Sequence, residues 1–271
     1  MFGLLGADLG ISVQHRRRPL QTLPCVLDPS RAAALHAALG LPGPPPAPGD
    51  ALPPFFHAAY FWDVQPPDAL GRDGHPQTGG LIPNLGLPRR MWAGGEINFH
   101  GPLRTGQPAE RRSEVKETLM KQGRSGPLGF VHLEHQIWQG GALRITERQD
   151  LVYREDVTEG QVNTAQHLPA PEGASEPLEF SPVLLFRYSA LTMNSHRIHY
   201  DADYARQVEG YDGPVVHGPL LAQLLMLRAA RDGEIERFRF RAVSPLTLGS
   251  TARIGMSGDR LWIAGPDDRL V

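Results

Sequence analysis

The densest group of proton-handling side chains in the sequence is LTMNSHRIHYDADYA, residues 191–205, with GYDGPVVHGPLLA, residues 210–222, close behind it. Together they hold Asn194, His196, His199, Asp201, Asp203 and His217. Imidazole takes and returns protons near neutral pH, which makes these histidines candidates for acid–base work. The same residue types also cap helices and satisfy loop backbone groups, and that reading stays open for each one singly. His196, His199 and Asp201 have metal-ligand chemistry, but the histidines are three residues apart with no glutamate between them, unlike a zincin helix. No metal is expected. Ser189 and Ser195 lack a Gly-x-Ser-x-Gly elbow, and Cys25 sits in a Pro-flanked segment as an inert thiol. Neither Gly-x-Gly-x-x-Gly nor a P-loop occurs, so no cofactor is expected.

The VVHGPLLA junction carries a second kind of chemistry. A helix that begins at Gly218-Pro219 leaves its first N–H groups without intrahelical partners. Those donors and the helix dipole suit a carbonyl oxygen that gathers negative charge, and glycine lets a ligand come close to the backbone. A neutral His199 could face that oxygen as the proton-transfer group. The plainer alternative is a helix cap in which His217 bonds locally. Leu220, Leu221, Leu224, Leu225, Met226 and Leu227 leave this helix almost no polar side, so it should be buried.

The elements that must position these groups read as a mixture of helices and antiparallel strands. Asp28-Pro29-Ser30 ahead of RAAALHAALG predicts a short helix capped by Asp28 or Ser30 and stopped at Gly40. Twelve prolines between Pro42 and Pro88 predict long surface connections around the apolar piece PPFFHAAYFW. From Met91 to Arg154 apolar and polar residues alternate between Gly and Pro breaks, with Gly140-Gly141 as one turn, which predicts consecutive antiparallel strands. QHLPAPEGASEP, residues 166–177, reads as a linker and VLLFRYS, residues 183–189, as a strand. RFRFRAV, TARIGM and LWIA continue the strand pattern after the buried helix. INFHGPLRTG (97–106) and FRAVSPLTLG (240–249) share Pro-Leu-x-x-Gly after a strand, a hint of one α+β unit present twice.

Composition narrows the classes. Lys+Arg 27 against Asp+Glu 29 gives a formal charge of -2, which argues against a nucleic-acid partner. One cysteine excludes an intramolecular disulfide or a multi-cysteine metal site and suits a reducing cytoplasm. No apolar run approaches a membrane span, and MFGLLGADLGISVQHRRR carries its charge after its apolar part, the reverse of a secretory signal.

LLFRYSALTMNSHRIHYDADYA…EGYDGPVVHGPLLA and PRRMWAGGEINFHGPLRTG…ERQDLVYRE resemble the MaoC-like double hot-dog hydratases and dehydratases. Within that family the sequence looks like the mesaconyl-C4-CoA hydratases and shares motifs with the mitochondrial-type 3-hydroxyacyl-thioester dehydratases. The resemblance implies an α+β double hot-dog, two antiparallel sheets each wrapping a long helix and packed as a pseudo-dimer. It implies an N-terminal hot-dog over 1–160, a linker over 161–178 and a catalytic hot-dog over 179–271, with the first forty-five residues poorly matched. It implies a hydro-lyase that adds water to, or removes it from, an acyl-CoA or acyl-carrier-protein thioester, with a homodimer allowed. His199 matches the family's catalytic histidine and Gly218 its oxyanion glycine. Asn194 stands where the general motif has aspartate, and an amide can only hold water or orient a ring. Arg187, Arg197, His217, Arg89 and Arg90 are candidates for substrate binding. A dehydratase of fatty-acid synthesis, a hot-dog thioesterase and a non-catalytic thioester-binding protein are the competing readings.

Overall fold

A computed structural model describes residues 19–123, 126–156 and 168–271. Strand β1 (Leu20–Val26) leads into helix α1 (Pro29–Ala38), whose Asp28 cap accepts the Ser30 N–H at 2.8 Å. Four long strands follow: β2 (Arg89–Phe99), β3 (Pro108–Gly123), β4 (Gly126–Gln139) and β5 (Ala142–Arg154). The alternation read from the sequence is real along β4, where every second residue from Gly129 to Gln139 is buried. The β4–β5 hairpin closes on Gly140 and Gly141 with φ of 60° and 76°, a conformation that glycine adopts without a Cβ penalty.

The second half comprises β6 (Ala174–Leu178), α2 (Pro182–Thr192), α3 (Ala202–Gln207), α4 (Gly218–Ala229), β7 (Arg237–Arg241), β8 (Ala252–Ser257) and β9 (Arg260–Ala264). Two antiparallel sheets result, ordered β1-β3-β4-β5-β2-β7 and β6-β8-β9. Strand β7 therefore crosses from the second half to join the first half's sheet beside β2. Arg269–Val271 turns back along β9, with the Val271 N–H donating to the Ile263 carbonyl at 3.0 Å. Between β9 and β7 there is no pairing among the described residues, where β5 fills the matching place in the first half.

The Pro-Leu-x-x-Gly repeat marks equivalent places. Leu52 N–H donates to Leu103 O at 2.8 Å, and Val216 N–H donates to Leu246 O at 2.8 Å. Ala51 bridges Arg104 as Val215 bridges Thr247, and Gly106 and Gly249 end the two segments with φ of 76° and 88°. This register sets Pro53-Pro54 opposite His217-Gly218. After that point the second half runs into twelve-residue α4, while the first half makes only a 3-10 turn, Phe56–Ala59.

Three expectations change. VLLFRYS is helix α2, because Ser181 accepts the Leu184 N–H at 3.1 Å and Pro182 opens the first turn. Its buried residues, Leu185, Tyr188 and Ser189, lie three and four apart, the helical period. The proline-rich stretch is not merely surface connection: Phe55, Phe56, Tyr60 and Phe61 are at most 2% exposed and sit in the main core with α1, α2 and α4. The linker span ends earlier than read, since Ala174–Leu178 is strand β6, while 161–167 and the N-terminal 1–18 lie outside the described residues.

Between β2 and the loop after α3 lies a buried ion pair. Arg89 donates through Nε to Glu209 Oε2 at 2.6 Å and through a terminal nitrogen to the Glu209 carbonyl at 2.7 Å, with both side chains nearly sealed from solvent. Removing one partner leaves the other charged and buried. We expect Glu209→Ala to lose about 3–5 kcal/mol of stability in denaturant unfolding.

Candidate functional site

His199 ends a 3-10 turn, Arg197–His199, and is 6% exposed. Its Nδ1 lies 2.7 Å from the Val215 carbonyl, which can only accept, so Nδ1 carries the hydrogen and Nε2 keeps its lone pair. The ring stacks on His217 with centroids 3.7 Å apart and planes 22° apart. His217 is fully buried, with Nε2 2.8 Å from Ser189 Oγ and Tyr188 edge-on at 5.0 Å. Burial lowers the His199 pKa to about 4, opposed by the Val215 carbonyl bond. Burial also lowers His217 and His196, with the neighbouring His199 adding to the shift in each case. All three rings are neutral bases at physiological pH.

Asn194 is delivered by the end of α2. Met193 adopts a left-handed conformation (φ 51°, ψ 33°), and the Asn194 N–H returns to the Ser189 carbonyl at 2.9 Å. Asn194 Oδ1 accepts the His196 N–H at 3.1 Å, which leaves the amide NH2 as its free end. Gly218 is the first residue of α4, where no side chain caps the helix, and its N–H has no acceptor within the helix. Asn194, His199 and Gly218 line one cavity of about 1630 Å³, which also reaches the unpaired place between β9 and β7.

The other candidates separate. Successive residues of β2 point to opposite sides, so Arg89 goes to Glu209 while Arg90 lines the cavity. Arg197 is held by Asp201 at 2.7 Å, by the Arg72 carbonyl and over the Tyr204 ring. Asp201 caps α3 by accepting the Tyr204 N–H, so it is turned away from the histidines. Arg187 is on the exposed side of α2. His217 lies behind His199 and supports its ring.

Several site groups come from the proline-rich region, where composition pointed only to loops. The Arg197 N–H donates to Asp73 O at 2.8 Å and Ser195 Oγ donates to Gly74 O, so loop 71–77 clamps the 194–199 loop. His75 stacks against His196 at 4.8 Å, and Asp73, His75 and His196 bring one ligand atom each within 4.8 Å of one another. This is the trio among the described residues that could hold a metal ion. The first half adds His57, Glu147 and Gln149 to the cavity wall, with His57 Nε2 3.0 Å and Gln149 Nε2 2.8 Å from Glu147. Burial pushes the Glu147 carboxyl up, but the hydrogen bond and charge of His57, with His135 and Gln149, hold it at about 2. A histidine in the middle of the apolar PPFFHAAYFW was the one available signal for this second cluster.

The match to known proteins agrees with this geometry. Residues 55–248 match the model of the hydroxyacyl-thioester dehydratase type 2 family, and the chain belongs to that family. Its architecture is that of the MaoC-like double hot-dog proteins, and the chain is a hydro-lyase enzyme. It is 45% identical over 245 residues to the mesaconyl-C(4)-CoA hydratase of Chloroflexus aurantiacus, covering 88% of each chain. It is 27% identical to the mitochondrial hydroxyacyl-thioester dehydratase type 2 of Schizosaccharomyces pombe, covering 79% of this chain and 80% of the relative. The crystal structure of HtdX of Mycobacterium tuberculosis superposes with a TM-score of 0.65 at 18% identity, covering 93% of this chain and 95% of that one. No described helix is long and apolar enough to cross a membrane.

Two outcomes follow from the packing. Gly74 has φ 89°, and a Cβ there would sit on the Ser195 carbonyl oxygen. We expect Gly74→Ala to cost of order 1–3 kcal/mol in thermal or denaturant unfolding and to lower kcat by displacing the 194–199 loop. His75, His135, His196, His199 and His217 all have folded pKa values below 6.5, chiefly from burial. The unfolded chain therefore binds more protons, so their contribution is complete above pH 6.5 and is lost as pH falls toward the folded values. Each contributes on the order of 1 kcal/mol per pH unit in that window. A Tm that is flat above pH 7 and falls steeply between pH 6.5 and 4 is the expected profile.

Proposed function

We propose that this chain adds water across the double bond of a trans-enoyl-CoA, with a mesaconyl-C4-CoA-type thioester as its substrate class. The observation that carries the reading is the pairing of a neutral imidazole, Nε2 free, with an uncapped helix N-terminus on the wall of one cavity. The relative 45% identical to this chain bears the name of that hydratase, which supports the substrate class and CoA as carrier.

In this mechanism the NH2 of Asn194 holds the water oxygen, and His199 Nε2 removes a proton as the oxygen attacks Cβ. The electron pair of the double bond moves onto the thioester oxygen, where the Gly218 N–H and the α4 dipole stabilise the enolate. His199, now protonated on both nitrogens, delivers its new proton to Cα. One group serves both carbons, so water and proton add to the same face. Positioned acid–base catalysis supplies about 10²–10⁴-fold. Losing one oxyanion donor costs about 3–4 kcal/mol.

The first half serves as wall and acyl pocket rather than as a second catalytic centre. Its counterpart of His217-Gly218 is Pro53-Pro54, and proline has no N–H to offer an oxyanion. We assign the division into an N-terminal half over 1–160 and a catalytic half over 179–271 on this ground. A cytoplasmic setting, with one thiol and no disulfide, completes the reading.

The test is hydration of mesaconyl-C4-CoA, itaconyl-CoA and crotonyl-CoA, followed by loss of enoyl absorbance. His199→Ala should abolish turnover without unfolding the chain, and Asn194→Asp should retain much of it. Gly218→Pro deletes the donor where the helix tolerates proline, because His217 already has the extended φ -60° and ψ 127° that a following proline requires. It should lower kcat by about 10²–10³-fold with Tm preserved. Activity controlled by His199 should hold from pH 8 down to about pH 5 and fall as the ring is protonated near its pKa of about 4. Free thiol release, or acyl-CoA binding with no absorbance change in the wild type, would overturn the assignment.

A further inference from the structure

Beyond the reacting atoms, the cavity has a donor-rich corner made by Arg90, His75 and His196. Arg90 is half-buried at the start of β2 and makes no hydrogen bond or ion pair through its side chain among the described residues. Arg89 is committed to Glu209 and Arg197 to Asp201, whereas Arg111 and Arg154, also on the cavity wall, each have a buried Nε without a partner; Arg90 is the open cation beside His75 and His196. His196 is 6% exposed, and its Nε2 is buried without any partner, an unmet polar atom of the kind that marks a ligand position. Its ring lies 5.5 Å from the ring of His199 on one side and 4.8 Å from His75 on the other.

The corner stands at a definite place along the substrate. Gly218 lies against the Trp92 carbonyl of β2, about 3.8 Å from where its own Cβ would be. Arg90 is two residues back along the same strand, about 6.6 Å from Trp92. With a thioester oxygen at Gly218 and a double bond beside His199, as in the mechanism proposed above, a substituent on Cβ has His196, His75 and Arg90 on the wall of the same cavity to meet it.

We propose that Arg90, with His75 and His196 as supporting donors, binds a carboxylate carried on the β-carbon of the acyl group and selects dicarboxylic enoyl-CoAs over simple ones. The inference rests on the hydratase reading above and adds the residues by which the same site tells a dicarboxylic substrate from a simple one. A guanidinium presents a planar fork that matches a carboxylate, and bonds to an ionised partner are the strong ones. Asp73 is the acidic group at this corner, and it is turned to its own loop, accepting the His75 N–H at 3.1 Å. Burial raises the Asp73 carboxyl, opposed in part by the His75 N–H bond and by Arg90, while burial lowers His75 and His196 and the Arg90 charge pushes both further below the ordinary histidine value. A cationic guanidinium at the mouth of the Asp73, His75, His196 trio repels a metal ion and attracts an anion.

The experiment compares Arg90→Gln and Arg90→Lys with the wild type in two assays. Calorimetric binding of succinyl-CoA against butyryl-CoA reads carboxylate recognition without any chemistry. The ratio of kcat/KM for mesaconyl-C4-CoA to that for crotonyl-CoA reads selection during turnover. Wild type should prefer the carboxylate ligand in both, and Arg90→Gln should shrink that preference about 10- to 100-fold. Arg90→Lys should keep part of it, since the charge remains while the fork is lost. Equal loss on both ligands, no loss on either, or a wild type indifferent to the carboxylate would each overturn the subsite. So would tight zinc binding by the wild type that is abolished by His75→Ala. Failure to hydrate any enoyl-CoA would instead defeat the hydratase reading, and the succinyl-CoA comparison would still decide the subsite.

Discussion

Everything in the site depends on one hydrogen bond, from Nδ1 of His199 to the carbonyl of Val215. It fixes the tautomer, so the lone pair stands on the nitrogen that faces the cavity. It also ties His199 to the chain segment that carries the free Gly218 N–H, because Val215 and Gly218 are three residues apart. Between them lies His217, whose ring supports His199 from behind. The segment is held by the Val215 N–H to Ile198 O bond at 2.8 Å and the Val216 N–H to Leu246 O bond at 2.8 Å. His199, His217 and Gly218 thus form one short unit, which in the proposed mechanism leaves little reorganisation for the moment when charge develops.

Burial decides the electrostatics around that unit. A charged imidazole would be costly in so dry a place, so the ring stays neutral and able to accept a proton. Two buried charges are matched with partners, Arg89 with Glu209 and Glu147 with His57. Arg90 differs from its neighbour Arg89 in that its charge is open to the cavity. An enzyme acting on a substrate with its own anionic group can leave such a charge unanswered, because the ligand supplies the partner.

The two halves hold two forms of the same unit, and they differ in what stands at the start of the helical segment. Both bring a strand-like segment alongside Pro-Leu-x-x-Gly in the same register. In the second half Gly218-Pro219 opens a helix with a free donor. In the first, Pro53-Pro54 has no donor, and Phe55 (φ 66°) leads into a short 3-10 turn packed with aromatic rings. The backbone donor differs between the halves through the residues at this start, while the sheet register around it is kept.

The sequence alone was enough to place the long strands of the first half and the α1 and α4 helices, and to single out His199 and Gly218 as candidates. Each rests on a local rule: period-two alternation, a cap, a proline at a first turn, or an imidazole near a helix start. It could not show that VLLFRYS winds into a helix, because a short apolar run suits either period and the Ser181 cap decides it. Nor could it bring Asp73 and His75 to the 194–199 loop, since that requires a proline-rich loop to fold across from more than a hundred residues away in the chain. The choice between Arg89 and Arg90 was likewise tertiary. Adjacent in sequence and chemically identical, they differ only in which side of β2 each occupies, and therefore in whether protein or cavity answers the charge.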